Sequence, residues 1–239
     1  MKKITILFFS ILTLFLLSEC VGQKGNTNHN YTFKKGNFNG IGKWYMGREI
    51  AHVMGYQGIR WLERSSREKE ENVSKLIENM KIKSTDTIAD VGAGSGYHAF
   101  RMATLAREGF VYAIDIQREM LMEIEKTKAS RKIKNVETIV GSEKSIQLSK
   151  NSVDKILMVD VYHEFNYPME MITSIKKALK PNGQLFLIEY RGEDAKVPIK
   201  KIHKMTEKQA VKEMEAAGFK LEKNIQNLPW QHCLIFEEK

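Results

Sequence analysis

The chain has 239 residues, 42% of them hydrophobic and 28% charged, with 4 prolines and 2 cysteines. So few prolines and no low-complexity tract exclude a largely disordered chain, and Cys20 and Cys233, at opposite ends, exclude a disulfide framework or a cysteine-built zinc site. The net charge of +9 comes from lysines scattered along the sequence, which reads as a solvated basic surface and not as a nucleic-acid-binding stripe.

Lys2 and Lys3 precede an apolar run over residues 4–17. That is a charged start and an apolar core of signal-peptide length, too short for a comfortable membrane span. Leu17-Ser18-Glu19-Cys20 resembles a bacterial lipobox, with Glu19 where a small residue is usual. The resemblance implies a lipid on Cys20 and residence in the cell envelope. Cleavage after Gly22 and an uncleaved anchor are the alternatives, and a leader that is not a working signal would leave the chain cytoplasmic. Residues 1–22 are thus read as a leader and 23–42, rich in Gly, Asn and Lys, as a flexible tether.

Residues 43–82 are expected to form an N-terminal helical arm. Ile50, Val53, Met54 and Trp61 recur at roughly helical spacing over 44–64, and Val73, Leu76, Ile77 and Met80 share one face of a helix over 66–80. From 83 to 239 strands alternate with helices. Strands are expected at 87–91, 110–114, 136–140, 153–159, 184–190, 219–224 and 231–236. Helices are expected at 97–107, 118–129, 168–180 and 206–217, with Thr206 as a cap and Gly218 as a stop. Pro181-Asn182-Gly183 reads as a turn. The alternation predicts an α/β domain with a largely parallel sheet and right-handed crossovers. Ligands in such sheets bind beyond the carboxyl ends of the strands, near the topological switch point.

The first of these strands runs into Asp90-Val91-Gly92-Ala93-Gly94-Ser95-Gly96. Glycines allow a tight turn and close backbone approach to a ligand. A dinucleotide turn places its third glycine one position later, and here that position is Tyr97. The spacing resembles motif I of the class I S-adenosylmethionine-dependent methyltransferases. The later stretches resemble the same family: Asp115 at the end of the second strand, Ser142-Glu143 after the third, Asp160 to Glu164 after the fourth, and Leu179-Lys180-Pro181-Asn182-Gly183 before the fifth. The likeness covers roughly residues 43–239 and points to bacterial methyltransferase-domain proteins of type 11 or 25.

The resemblance implies a Rossmann-like, doubly wound sheet of seven strands in the order 3-2-1-4-5-7-6, the last strand antiparallel. It implies S-adenosylmethionine as cofactor. Asp90 would hold its ammonium end, Gly92, Ala93, Gly94 and Gly96 would wrap its methionine part, and Asp115 with Ile116 would take the ribose. Ser142 or Glu143 would meet adenine, and Asp160 would line the pocket. Methyl transfer from a sulfonium is an in-line displacement in which the protein supplies alignment and a dry site.

His163 after the fourth strand, Glu189 at the end of the fifth and His203 before the last long helix are the candidates for acceptor contact or base. Arg48, Glu49 and His52 belong to an arm that would fold over the cofactor. The histidine spacing carries no metal signature, and no metal is expected. The acceptor is expected to be a small molecule or a lipid and not a nucleic acid, with membrane association through the leader. The other readings are an exported nucleoside-binding lipoprotein without catalysis and, opposed by Tyr97, a nicotinamide-dependent oxidoreductase.

Overall fold

A computed structural model describes residues 31–239. The expected leader, with Cys20, and residues 23–30 of the expected tether lie outside the described residues. Among the described residues no helix is long and apolar enough to cross a membrane.

The centre of the fold is β4 (Thr87–Val91), in which Ile88, Ala89, Asp90 and Val91 are all buried, as expected of a parallel strand covered on both faces. It pairs in parallel with β5 (Phe110–Asp115) on one side and β7 (Val153–Val159) on the other. The sheet extends outward to β6 (Val136–Val140) beyond β5. Beyond β7 it continues through β8 (Leu179–Tyr190), β10 (Gln231–Glu238) and β9 (Phe219–Asn224). β10 runs antiparallel to both of its neighbours. In the order in which the seven strands occur along the chain this is 3-2-1-4-5-7-6, the doubly wound order expected.

Side-chain alternation sets the two layers. Ile88, Leu157, Phe186 and Ile188 face α3 (Val73–Asn79), α4 (Tyr97–Leu105) and α5 (Arg118–Arg131). Ala89, Val91, Ile156, Met158, Leu185 and Leu187 face α6 (Pro168–Ala178) and α7 (Glu207–Ala216). The chain leaves β4 toward β5 and later returns to β7, so the carboxyl ends of β4 and β7 part at the switch point, where a crevice opens.

The arm departs from the helical expectation. Its first part is a three-stranded antiparallel sheet of β1 (Tyr31–Phe33), β2 (Gly40–Tyr45) and β3 (Arg48–Ala51), which includes residues 31–33 and 40–42 of the expected tether. Met46 and Gly47, with φ of 47° and 105°, form a two-residue turn between β2 and β3, and positive φ at both central positions suits the twist of a hairpin. The rest of the arm is helical in short pieces: a 3-10 turn at Tyr56–Gly58, then α1 (Ile59–Leu62), α2 (Arg67–Glu71) and α3. The single helix expected over 66–80 breaks at Asn72, which sits at φ 52° and accepts from the Lys75 N–H at 3.1 Å. Asparagine tolerates the left-handed region and caps well. The turn expected at Pro181-Asn182-Gly183 is a bulge within β8, with Asn182 at φ 64° and a register shift against β7.

Candidate active site

The turn after β4 requires its glycines. Gly92, Gly94 and Gly96 have φ of 76°, 54° and 82°, a region costly for other L-residues. A Cβ on Gly92 would lie 2.5 Å from Val161, and one on Gly94 would lie 2.5 Å from Leu62. Asp115, at the end of β5, fixes the turn from across the crevice. Its Oδ2 accepts from Gly94 N–H at 3.0 Å and its Oδ1 from Gln117 N–H at 2.9 Å.

A cavity of about 920 Å³ opens beside this turn. It is near the upper end of the ~300–1,000 Å³ usual for small-molecule sites. Of the residues singled out from sequence, Gly92, Gly94, Asp115, Ile116, Ser142, Glu143, Asp160, His163 and His203 lie on its wall. Ala93 is buried in the core, and Gly96 caps α4. Neither lines the cavity. Asp90 does not line it either: its carboxylate is turned inward, among Ala99 N–H, Arg67 and Asp115. The ammonium-binding role expected for Asp90 therefore has no surface contact here. Glu189 sits fully buried behind the wall.

The arm crosses the cavity's open side. His52, Val53 and Met54 line it. Gln117 ties this strap down, accepting from Tyr56 N–H at 2.8 Å and donating to Met54 O at 3.0 Å. Arg48 lies beneath, forked onto Glu213 at 2.7 and 3.0 Å, and donates to the His163 carbonyl at 3.1 Å. Glu49 faces away and accepts from Asn37 N–H and Gly42 N–H.

Beyond β7 a 3-10 turn at Tyr162–Glu164 brings His163 and Glu164 to the cavity, and another at Lys201–His203 delivers His203 opposite. His163 Nδ1 lies 2.7 Å from Glu189 Oε2, and His163 N–H donates to Glu189 Oε1 at 3.2 Å. His163 Nε2 is 3.1 Å from His203 Nδ1, and Glu164 Oε1 is 3.8 Å from both nitrogens. Met54 N–H donates to both oxygens of Glu164 at 3.2 Å. The fold thus joins the three candidate side chains and adds Glu164.

A profile described as a methyltransferase domain matches residues 82–234. The chain belongs to the methyltransferase-domain family. It is 35% identical over 135 residues to an uncharacterised methyltransferase of Schizosaccharomyces pombe, covering 56% of this chain and 50% of that protein. It is 31% identical over 144 residues to the uncharacterised methyltransferase YdaC of Bacillus subtilis, covering 60% of this chain and 76% of that one. The chain spans about half the length of the S. pombe relatives it matches. The solved structure of a SAM-dependent methyltransferase from Aquifex aeolicus superposes with a TM-score of 0.72 at 25% identity, over 77% of this chain and 98% of that one. The domain is that of an S-adenosylmethionine-dependent methyltransferase.

The residues on the wall of this methyltransferase domain fit that cofactor. The glycine turn lets backbone approach closely, and the Asp115 carboxylate lies on the wall, where it can accept from hydroxyl groups. The wall also carries a charged group that sequence reading missed. Arg67 Nε pairs with Glu71 Oε2 at 2.7 Å, Arg64 Nη2 with Glu71 Oε1 at 2.5 Å, and Tyr190 donates to Glu71 at 2.9 Å. All four side chains line the cavity. Asp160, at φ 50°, accepts from Gln231 Nε2 at 2.6 Å through Oδ2, while its buried Oδ1 has no hydrogen-bond partner among the described residues. An orphaned carboxylate oxygen on the same wall as two arginines suits the ammonium and carboxylate of an amino acid. Elsewhere on the wall, Glu143 accepts from Asn166 Nδ2 at 3.0 Å.

Burial governs the charges. It pushes Asp160 well above the ordinary carboxylate range, helped by Glu71 and Glu189. It also raises Glu164 to about 7 and lowers His203 to about 4, with His163 adding to the fall. Burial opposes charge on His163 too, but the adjoining Glu189 carboxylate outweighs it and lifts that histidine above its ordinary value.

Proposed function

We propose that the protein methylates a small or lipid acceptor through a nucleophilic heteroatom, by in-line displacement, in the cell envelope. The observation that carries this reading is one cavity with two chemically different ends. The glycine turn, Asp115 and the Arg64–Arg67–Glu71–Asp160 group serve the cofactor, and His163, Glu164 and His203 serve the acceptor. S-adenosylmethionine supplies an electrophilic methyl group when bound. Asp115 accepts from the ribose, Arg64 and Arg67 meet the carboxylate, and Asp160 Oδ1 takes the ammonium. The histidine cluster receives the acceptor's nucleophilic atom and favours loss of its proton, and Glu189 fixes the His163 ring. The strap of residues 52–54 keeps water out. Phe38, Phe165, Pro198 and Ile199 give the acceptor side an apolar lining, which supports a small or lipid acceptor over a nucleic acid. The leader and Cys20 support the envelope and a membrane anchor.

Calorimetry and label transfer test this together. S-adenosylhomocysteine is expected to bind the wild type. Asp115→Ala, which removes a charged acceptor worth about 1.5–3 kcal/mol per bond, is expected to weaken binding roughly 10–150-fold. His163→Ala should keep cofactor affinity and lose transfer of a labelled methyl group into envelope extracts. Binding without transfer to any extract in the wild type would reject the enzyme and favour a nucleoside-binding lipoprotein.

A further inference from the structure

His163, Glu164 and His203 each present one ligand atom to a common point. His163 Nε2 to His203 Nδ1 is 3.1 Å, and Glu164 Oε1 is 3.8 Å from each. The centre of that triangle lies about 2.1 Å from all three atoms, the usual distance of a zinc-class ion from histidine nitrogen and carboxylate oxygen. We propose that this triad is a binding site for a first-row divalent cation of zinc's class, held by two imidazoles and one carboxylate, with its open position facing the cavity.

Two features outside the triad support a built site. The first is behind His163, whose Nδ1 meets the fully buried Glu189 at 2.7 Å. A ring that donates Nδ1–H to a carboxylate is locked in the tautomer that turns the Nε2 lone pair toward an ion, and metal-ligating histidines carry this kind of outer partner. The second is behind Glu164, whose two oxygens are both held by Met54 N–H at 3.2 Å, so the carboxylate is aimed by the strap and not by chance. Arg48, which reaches the His163 carbonyl, is held by that oxygen and by Glu213 and makes no hydrogen bond to the triad's ligand atoms. In the ion-free chain His203 Nδ1–H donates to the His163 Nε2 so locked, and ion binding moves that proton to His203 Nε2. Three ligands with an open side is the pattern of reactive rather than structural sites.

The inference rests on the acceptor reading above and gives the acceptor a chemical class: a hydroxyl or thiol that coordinates the ion through the nucleophilic atom. On coordination the O–H or S–H bond breaks, the electron pair stays on the heteroatom and the proton passes to solvent. An ion lowers the pKa of such a group enough for this near neutrality.

Cobalt(II) is the probe, because its visible ligand-field absorption reports coordination with no need for methyl transfer. The full chain, stripped with chelator and dialysed, is titrated with Co²⁺. One equivalent is expected to give the absorption of a four- or five-coordinate ion with nitrogen ligands. Glu189→Gln should weaken binding about 10–100-fold, and His203→Ala by more. His203→Gln, closer in shape, should lose the band while keeping the wild-type thermal transition. No band in the wild type, or one that His203→Ala and His203→Gln leave unchanged, overturns the site whatever the label-transfer experiment returns. A cobalt band in a protein that transfers no label supports the site and rejects the acceptor reading instead.

Discussion

Asp90 and Asp115 both end up beside the glycine turn, yet only one faces the cavity. Asp115 ends β5 on the cavity wall with two N–H donors on it. Asp90, within β4, is buried with one oxygen unpartnered. Burial raises its pKa from the ordinary 3.8 to about 7, against the opposing pull of Arg67. The folded chain therefore holds this proton more tightly than the unfolded chain does. Its contribution to stability is full below about pH 4 and is lost as pH rises through about 7. Asp90→Asn removes the titration while keeping size. The wild type is expected to lose Tm more steeply than Asp90→Asn between pH 5 and pH 8, with the cofactor-free protein melted at both. Parallel slopes would show that Asp90 does not carry the effect.

At the scale of elements, the sequence was legible where a strand is buried on both faces. β4, β5, β7 and β8 read as apolar runs, and all seven strands of the large sheet were found. The arm was not, because Ile50, Val53 and Met54 mimic helical spacing while the deciding signal is two residues long. Met46-Gly47 closes the hairpin, but Asn-Gly is the pair that normally announces such a turn. The site divides the same way. Fixed local spacing exposes the glycines and Asp115. Arg64, Arg67 and Glu71 sit in Arg67-Glu68-Lys69-Glu70-Glu71 and its approach, which looks like a solvated helix, and only tertiary packing buries Arg67 and Glu71. His163 and His203 meet because the ends of β7 and β8 are adjacent, which no spacing rule reports. The turn also gives a direct test. Met46 holds φ 47° at a cost near 1 kcal/mol that asparagine largely avoids. The Met46 carbonyl, which accepts from Gln209 and Lys212, is kept in any substitution. Met46→Asn is expected to raise Tm by about 2–4 °C. An unchanged or lower Tm in a thermal melt would mean that the Met46 side chain contributes more by packing than its backbone loses.

At the scale of the molecule, the arrangement is a sheet with a cover held mainly by polar contacts. The sheet brings the glycine turn, Asp115, Asp160 and the histidine cluster to one rim. The cover is the stretch from His52 to Arg64, in which α1 has no buried residue. Its middle is attached by the Gln117 bridge to Met54 and Tyr56 and by Glu164 to Met54. Its far end is attached by Arg67 to the Leu62 carbonyl, by Ser95 to Glu63, and by Arg64 to Glu70 and Glu71. Segments with few buried apolar contacts open at low free energy, so the cover is the natural route for cofactor entry. A ligand that needs the cover closed must in turn hold it closed. At about 100 times its Kd, S-adenosylhomocysteine stabilises the bound form by about 2.7 kcal/mol. Amide exchange over residues 52–64 is therefore expected to slow by up to about 100-fold on binding, with fast exchange in the cofactor-free chain. β4 and β7, buried at the centre of the sheet, should shift no more than global stability does. Gln117→Ala releases one attachment and is expected to speed exchange over 54–58 in the free protein and to raise the cofactor's dissociation rate. If bound and free chains exchange alike over 52–64, the arm is a fixed wall and the cofactor enters elsewhere.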